Sequence, residues 1–219
     1  MQDDRIGTVS SAVPAPQIAV SANNPCPFLR ALVAGGFVDG HTVPLPKLSE
    51  TVALASGETG ANQTMVRVKA YLIALMANGL DPSRLWRSIS SGADLDELRN
   101  GPLDKLGGGS RILGVTAEVH EEEIDRLASF GKDCIDPSGG TERGLTGQHI
   151  KAYMAANLER AGDAARWYYP MLMEGEWPVL LKILGKGEGE ARYLSVAEVR
   201  TLFAERRLPD RIAARLPRS

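Results

Sequence analysis

The spacing of apolar residues along the chain predicts a succession of helices. Between Gln63 and Asn78 the apolar side chains recur at steps of three and four residues, which is the period of one helix face. These side chains are Met65, Val68, Leu72, Leu75 and Met76. Gly79 follows, where a glycine commonly ends a helix. We therefore expect a helix over 63–78 whose apolar stripe packs inward.

Capping residues and prolines predict the other helices. The expected segments are 47–56 after Pro46, 82–91 after Asp81, a turn or two over 94–100, 116–130, 146–160, 164–184 broken at Pro170 and Pro178, and 195–207 with a capping box at Ser195. The stretch 132–143 is rich in Gly, Asp and Ser and is predicted to be a loop. Because no segment shows sustained alternation of apolar and polar residues, we expect few strands and an all-α fold class.

Composition narrows the class of protein. The 219 residues suit one domain that can bury a core, and 43% apolar with 24% charged residues is ordinary for a soluble globular protein. A net charge of −2 argues against nucleic-acid binding. No apolar run reaches the length that a membrane-spanning helix requires.

The chain is expected to divide into a flexible N-terminal arm, 1–23, a helical domain, 24–212, and a basic tail, 213–219. The arm begins with acidic residues and has no apolar core, so it is not a secretory signal as written. The prediction is a cytoplasmic protein, or a secreted one if a leader was removed.

One cysteine stands between two prolines at the start of a short apolar helix, in Pro25-Cys26-Pro27. Proline is favoured at the first helical position because its missing N–H has no helical partner there, so Cys26 is expected at the cap. Gly35-Gly36 ends the helix. The free amides and the positive helix end favour a thiolate. A thiolate held in this way suits a soft metal centre such as haem iron.

The alternative interpretation of Cys26 is an inert, buried small hydrophobe. The second cysteine, Cys134, lies in the predicted polar loop, where nothing stabilises a thiolate. A Cys26–Cys134 disulfide is a further alternative, but it would consume the proposed ligand.

Two segments resemble the haem-thiolate peroxidase family, which includes chloroperoxidases and unspecific peroxygenases. The first is Pro25-Cys26-Pro27 with Leu29, Leu32, Gly36 and Phe37, which is similar to the family's proximal motif. The second, 199–209, resembles the family's closing "FF-x-E-x-R-x-P" segment. The resemblance implies a compact single-domain multi-helix bundle of that type over 24–212.

The resemblance also implies a function and a site. Such a protein binds haem b and uses hydrogen peroxide to oxidise, oxygenate or halogenate small apolar substrates. Cys26 would be the proximal iron ligand, with Phe28 and Leu29 beside the cofactor. Glu176 would be the distal acid–base residue, with Glu174 as its local rival. Pro178 suggests that a new helix starts there, which would put Glu176 in an exposed first turn.

The chain departs from the family in its middle. The Glu-His-Asp or Glu-Gly-Asp triplet that helps the relatives hold magnesium is missing from 113–126, where Glu118, His120 and Glu121 have another spacing. The magnesium is therefore in doubt, and arginine or lysine would have to anchor the haem propionates instead, unless no haem binds. The alternative function is a non-catalytic haem-binding or regulatory protein that keeps the scaffold. His41, His120 and His149 are candidates to assist Glu176.

Overall fold

A computed structural model describes residues 18–99, 101–105 and 108–217. Helices predominate: α1 Pro27–Ala34, α2 Leu45–Ser56, α3 Gly60–Met76, α4 Pro82–Ser91, α5 Glu121–Phe130, α6 Gly147–Ala161, α7 Tyr169–Leu184, α8 Val196–Ala204 and α9 Asp210–Ala213. The strands are β1 Thr42–Val43, β2 Ala93–Asp94, β3 Lys132–Ile135, β4 Thr141–Thr146 and β5 Tyr193–Ser195. The mainly helical prediction is confirmed, but the strict all-α class is wrong because two small antiparallel sheets, β1–β2 and β3–β4–β5, are present.

Helix α1 begins as the proline pattern predicts. Cys26 is its N-cap with extended backbone angles, and Pro27 is its first residue. Gly35 is the C-cap, and Gly36 has a φ of +71°, a left-handed conformation that glycine adopts without strain. The side chain of Cys26 is thereby fixed at a helix end.

Helix α3 presents the opposite face to the core from the one expected. The residues buried along it are Val66, Ala70 and Ala74, whereas Met65, Val68 and Leu72 are 44%, 53% and 49% exposed. The inward residues are small, and so are many of the residues that α2 buries, Ser49, Thr51, Ala53, Ala55 and Ser56 among them. Small side chains let neighbouring helices approach closely, and Met65, Val68 and Leu72 remain outside.

The expected loop over 132–143 is instead a β-hairpin. Strands β3 and β4 pair in antiparallel register, with Cys134 opposite Glu142. The turn is closed by Asp136, whose Oδ1 accepts hydrogen bonds from the backbone N–H groups of Ser138 at 2.8 Å and Gly140 at 2.9 Å. An Asx turn of this kind explains why the polar residues that suggested a loop form a hairpin.

Two further segments, both before β3 in the chain, differ from the predicted secondary structure. The helical turn expected over 94–100 is absent from its described part, where the end of β2 is followed by turns up to Arg99. Helix α5 begins at Glu121 rather than at Thr116, with His120 as its N-cap. The preceding residues instead form a bridge between Leu113 and Val119.

Helix α7 continues through Pro178, contrary to the expected break. Pro170 lies in its first turn, which is the tolerated position, but Pro178 lies inside the helix and removes one helical hydrogen bond. Leu172, Met173 and Val179 are buried along α7, so packing on both sides of the proline supports a continuous helix. Glu176 therefore lies in the middle of α7 and not in an exposed first turn.

The C-terminal residues join the core. Ser195 caps α8 as predicted, by accepting a hydrogen bond from the N–H of Glu198 at 3.4 Å. The boundary expected after residue 212 falls inside α9, Leu216 is buried, and Arg215 donates to the carbonyl of Ala55 at 2.9 Å. One buried apolar cluster runs from Phe28 to this end of the chain.

The predicted arm, 1–23, is described only from residue 18 onward. The end of the arm is attached to the domain by hydrogen bonds. The side chain of Arg30 donates to the carbonyl oxygen of Ser21 at 2.8 Å, and the backbone N–H of Arg99 donates to the carbonyl oxygen of Asn23 at 2.9 Å. Within 18–99, 101–105 and 108–217, no helix combines the length and the apolar character needed to cross a membrane.

Candidate functional site

A cavity of about 500 Å³ lies between the first helices and the C-terminal ones. This volume falls in the range of small-molecule and cofactor sites. Its walls are mostly apolar and include Phe28, Leu29, Ile73, Ala74, Met173 and Trp177. The inward face of α3 thus forms one wall of the cavity, and the small side chains on this face leave space for the cavity. Cys26 and Glu176, predicted as the two functional residues, both line this cavity.

Cys26 reaches the cavity from the cap of α1. Its own N–H donates to Oδ1 of Asn24 at 3.1 Å, which holds the cap in place. Burial raises the pKa of the Cys26 thiol above its ordinary value of 9.0, although the amides of Leu29 and Phe28 act in the opposite direction. The expectation of a thiolate is therefore wrong for the protein without a metal, because burial outweighs the helix end. Metal coordination would deprotonate the thiol.

Glu176 is held in the cavity wall by Lys105. The Nζ of Lys105 donates to Oε2 of Glu176 at 2.6 Å and to the carbonyl of Leu103 at 3.1 Å. The lysine side chain is 8% exposed and the glutamate side chain 24%. Burial raises the pKa of Glu176 above its ordinary value, and the ammonium of Lys105 counteracts this rise. Within the described part of the chain, Oε1 of Glu176 has no hydrogen-bond partner.

The thiol, the carboxylate and the ammonium act on one another. The charge of Glu176 raises the pKa of Cys26, and the charge of Lys105 lowers it. Charges influence a pKa in this way only at short range or through poorly screened protein. The three groups therefore form one electrostatic unit at the cavity.

Two arginines lie almost wholly inside the protein next to this unit. Arg30, at 5% exposure, donates to the carbonyls of Ser21 and Asn24. Burial lowers its pKa, and the charges of Arg206 and Arg99 add to the effect. Arg99 lines the cavity, and its Nη2 donates to the carbonyl of Gly114 at 3.0 Å.

Of the three histidines, His120 alone lines the cavity. Its ring nitrogens lie 3.5 Å from Glu118 and 3.3 Å from Glu122. His41 is exposed and pairs with Asp96, and His149 completes the capping box of α6.

The rival residues Glu174 and Cys134 lie elsewhere. Glu174 is exposed on α7 and does not line the cavity. Cys134 is buried in β3, where its Sγ lies 3.7 Å from the carbonyl of Lys132. Both cysteines are free thiols, so the disulfide alternative is wrong for this structure.

Two sequence features concern cofactor binding: the apolar stripe predicted on α3 and the magnesium-binding triplet that is missing from 113–126. Met65 and Leu72, on the stripe of α3, point away from the cavity into solvent. Across the described ranges, no three His, Cys, Asp or Glu side chains lie close enough together to hold a metal ion. Cys26 is the soft ligand that the cavity offers to a metal.

The donor set of the cavity fits haem. Cys26 offers the sulfur, the apolar walls suit a flat hydrophobic macrocycle, and the cationic side chains suit its carboxylates. Comparisons of the chain with protein-family models, curated proteins and solved structures found no match.

Sequence reasoning missed Lys105 and Arg99 as site residues. Lys105 lies in an irregular segment, where no periodicity or cap distinguishes one lysine from the others. Arg99 falls where a helical turn was expected. The sequence offered one chemical indication of Lys105. A carboxyl group on an apolar helix such as α7 is expected to have a cationic partner, because burial of an unpaired charge is costly.

Proposed function

We propose that the protein is a haem-thiolate peroxidase or peroxygenase that uses hydrogen peroxide to oxidise, oxygenate or halogenate small apolar substrates. The observation that carries the proposal is the shared position of Cys26 and Glu176. They come from opposite parts of the sequence, the family resemblance implies them for the two faces of a haem, and both line one large apolar cavity.

The residues have distinct roles in this proposal. Cys26 would provide the sulfur ligand, and Phe28 and Leu29 would pack beside the bound group. When bound, haem would supply an iron that activates peroxide, and a thiolate ligand donates electron density to it. The chain contributes the placement of the sulfur at a helix end, where two amides reduce the cost of its negative charge.

Glu176 moves the proton. Its Oε1 is available to accept a proton from hydrogen peroxide and to return it to the departing oxygen, while Oε2 stays bound to Lys105. Lys105 acts as a positioning residue: it fixes the carboxylate and favours its ionised form, which is the form that can accept the proton. The raised pKa that burial causes makes the carboxylate a stronger base, so it takes up the proton from peroxide more readily.

The apolar walls select the substrate. Side chains such as Ile73, Met173 and Trp177 exclude water and favour apolar molecules of modest size. This matches the substrate class that the family resemblance implies.

Spectroscopy of the purified protein with haem tests the proposal. The reduced carbon monoxide complex is expected to show the long-wavelength Soret band of thiolate ligation. Cys26→Ser should abolish this band, and the matched control Cys134→Ser should leave it unchanged. A histidine-type band in the parent, or failure to bind haem, would refute the proposal.

The second candidate is a haem-binding protein without efficient peroxide chemistry. The observation that favours it is the ion pair itself, because Lys105 already occupies one oxygen of Glu176 and reduces its tendency to take up a proton. Consumption of peroxide with a phenolic dye separates the two: turnover supports the enzyme, and a thiolate spectrum without turnover supports the carrier.

A further inference from the structure

The groups around the cavity carry an excess of buried positive charge. Arg30 is 5% exposed, and the side chains of Arg99 and Lys105 are each 8% exposed. The buried carboxylates beside them, among the residues that the structure describes, are Asp104 at 9% and Glu176 at 24%. Arg99 and Lys105 line the cavity together with Asp104 and Glu176, and Arg30, which does not line it, adds one more buried positive charge nearby. A buried charge without a counter-charge is costly, so this arrangement favours uptake of one more anion.

Arg99 is the cation placed to meet that anion. It lines the cavity, and its nearest carboxylate, Asp104, is 3.7 Å from Nη1, which is too far for a good hydrogen bond. Its Nη2 is occupied by the carbonyls of Ala22 and Gly114. Its Nε is buried and has no partner among the described residues. A buried guanidinium with an unused N–H is an incomplete hydrogen-bonding site.

A segment held by Arg99 contributes to the wall of the cavity. Residues 109–115 form a continuous part of its wall, and within this segment Arg111 and Val115 are exposed. Arg99 holds this segment through its bond to Gly114. A ligand with its apolar body in the cavity could place its polar end near Arg99 and this segment.

We propose that the cavity binds an apolar molecule that carries a carboxylate, and that Arg99 binds the carboxylate. The proposal rests on the proposed function for one of its two sources, the propionates of haem. The other source is an acidic substrate with an apolar chain. Both present the same chemistry to Arg99, a carboxylate that accepts a charge-assisted hydrogen bond.

The test compares acids with their neutral esters. Binding of haem and haem dimethyl ester to the haem-free protein is measured by quenching of Trp177, which lines the cavity. Lauric acid and methyl laurate are compared on the protein with and without haem. Each titration is repeated on Arg99→Met and on the control Arg87→Met, which removes an exposed arginine outside the cavity.

The parent should bind at least one acid about 10- to 100-fold more tightly than its ester, the usual worth of a hydrogen bond to a charged group. Arg99→Met should lose this preference, and Arg87→Met should keep it. A preference for haem over its ester identifies the propionate as the source, and a preference for lauric acid identifies the substrate. Equal affinity for acid and ester in both pairs would overturn the proposal.

The outcomes separate this inference from the proposed function. Haem bound through Cys26 as tightly as its dimethyl ester, with no preference for lauric acid, would overturn the carboxylate site alone. A preference for lauric acid in a protein that takes up no haem would overturn the haem proposal alone. If Arg99→Met does not fold, Arg99→Gln replaces it, since it also removes the charge, and an unchanged acid preference in that variant would exclude Arg99 as the anchor.

Discussion

Replacement of Lys105 by methionine tests the electrostatic unit at the cavity without any cofactor. The change keeps the length of the side chain and removes the ammonium that lies 2.6 Å from Glu176. Both partners are largely buried, so water can compensate the carboxylate only in part. Removal of one member of a buried ion pair costs about 3–5 kcal/mol, because the other charge is left unpaired. We expect a loss of this size in the free energy of unfolding near neutral pH.

The loss should depend on pH with a definite sign. Burial already raises the pKa of Glu176, and loss of the ammonium removes the charge that opposes this rise. The native variant then binds a proton that the unfolded chain has released, so stability falls as pH rises through the interval between the unfolded and folded pKa values. Near pH 4.5, the ordinary pKa of a glutamate, the cost should largely disappear. Each pKa unit of further rise corresponds to about 1.4 kcal/mol.

Urea unfolding at the two pH values measures both effects. Lys151→Met, at an exposed position on α6, is the matched control and should change stability by less than about 0.5 kcal/mol. The double variant Lys105→Met/Glu176→Gln contains no buried charge at this pair and should recover most of the loss. A single variant no less stable than the control, or a loss that does not depend on pH, would refute the reasoning.

Three further predictions concern the site and α3. Glu176→Gln should leave haem binding intact and slow peroxide consumption by about two to four orders of magnitude, whereas the exposed Glu174→Gln should have little effect; equal rates for both would exclude Glu176. In a haem-free Cys134→Ser background, alkylation of Cys26 should reach half its maximal rate above pH 9.0, since burial raises the pKa of that thiol; a midpoint well below that value would contradict the burial argument. Leu72→Gln should change the free energy of unfolding by less than about 0.5 kcal/mol, because the side chain is exposed; a loss of about 2 kcal/mol would show that it is covered in solution.

Four of the helix starts could be predicted because their signals are local. Pro27, Asp81, Thr146 and Ser195 each mark a terminus that the structure shows within one residue. Capping depends on a few neighbouring backbone groups, so it can be recognised without knowing the rest of the fold.

The direction of α3 could not be predicted in the same way. Its period identifies a face but does not say which face points inward, and here close packing against α2 favours Ala70 and Ala74 over Leu72. The partner of Glu176 is a long-range contact from an irregular segment, which periodicity does not detect. The continuation of α7 through Pro178 likewise depends on packing, which outweighs the lost hydrogen bond.

The distance along the sequence between Cys26 and Glu176 has a consequence for how the protein is made. The cavity needs α1, α2 and α3 from one half of the chain and α7 and α8 from the other. Contacts between residues so far apart in the sequence form slowly. The chain loses the entropy of closing the long loop before the contacts can stabilise the folded state. A chain on the ribosome therefore has no complete cavity until α8 has been synthesised, and ligand uptake must follow translation of most of the domain.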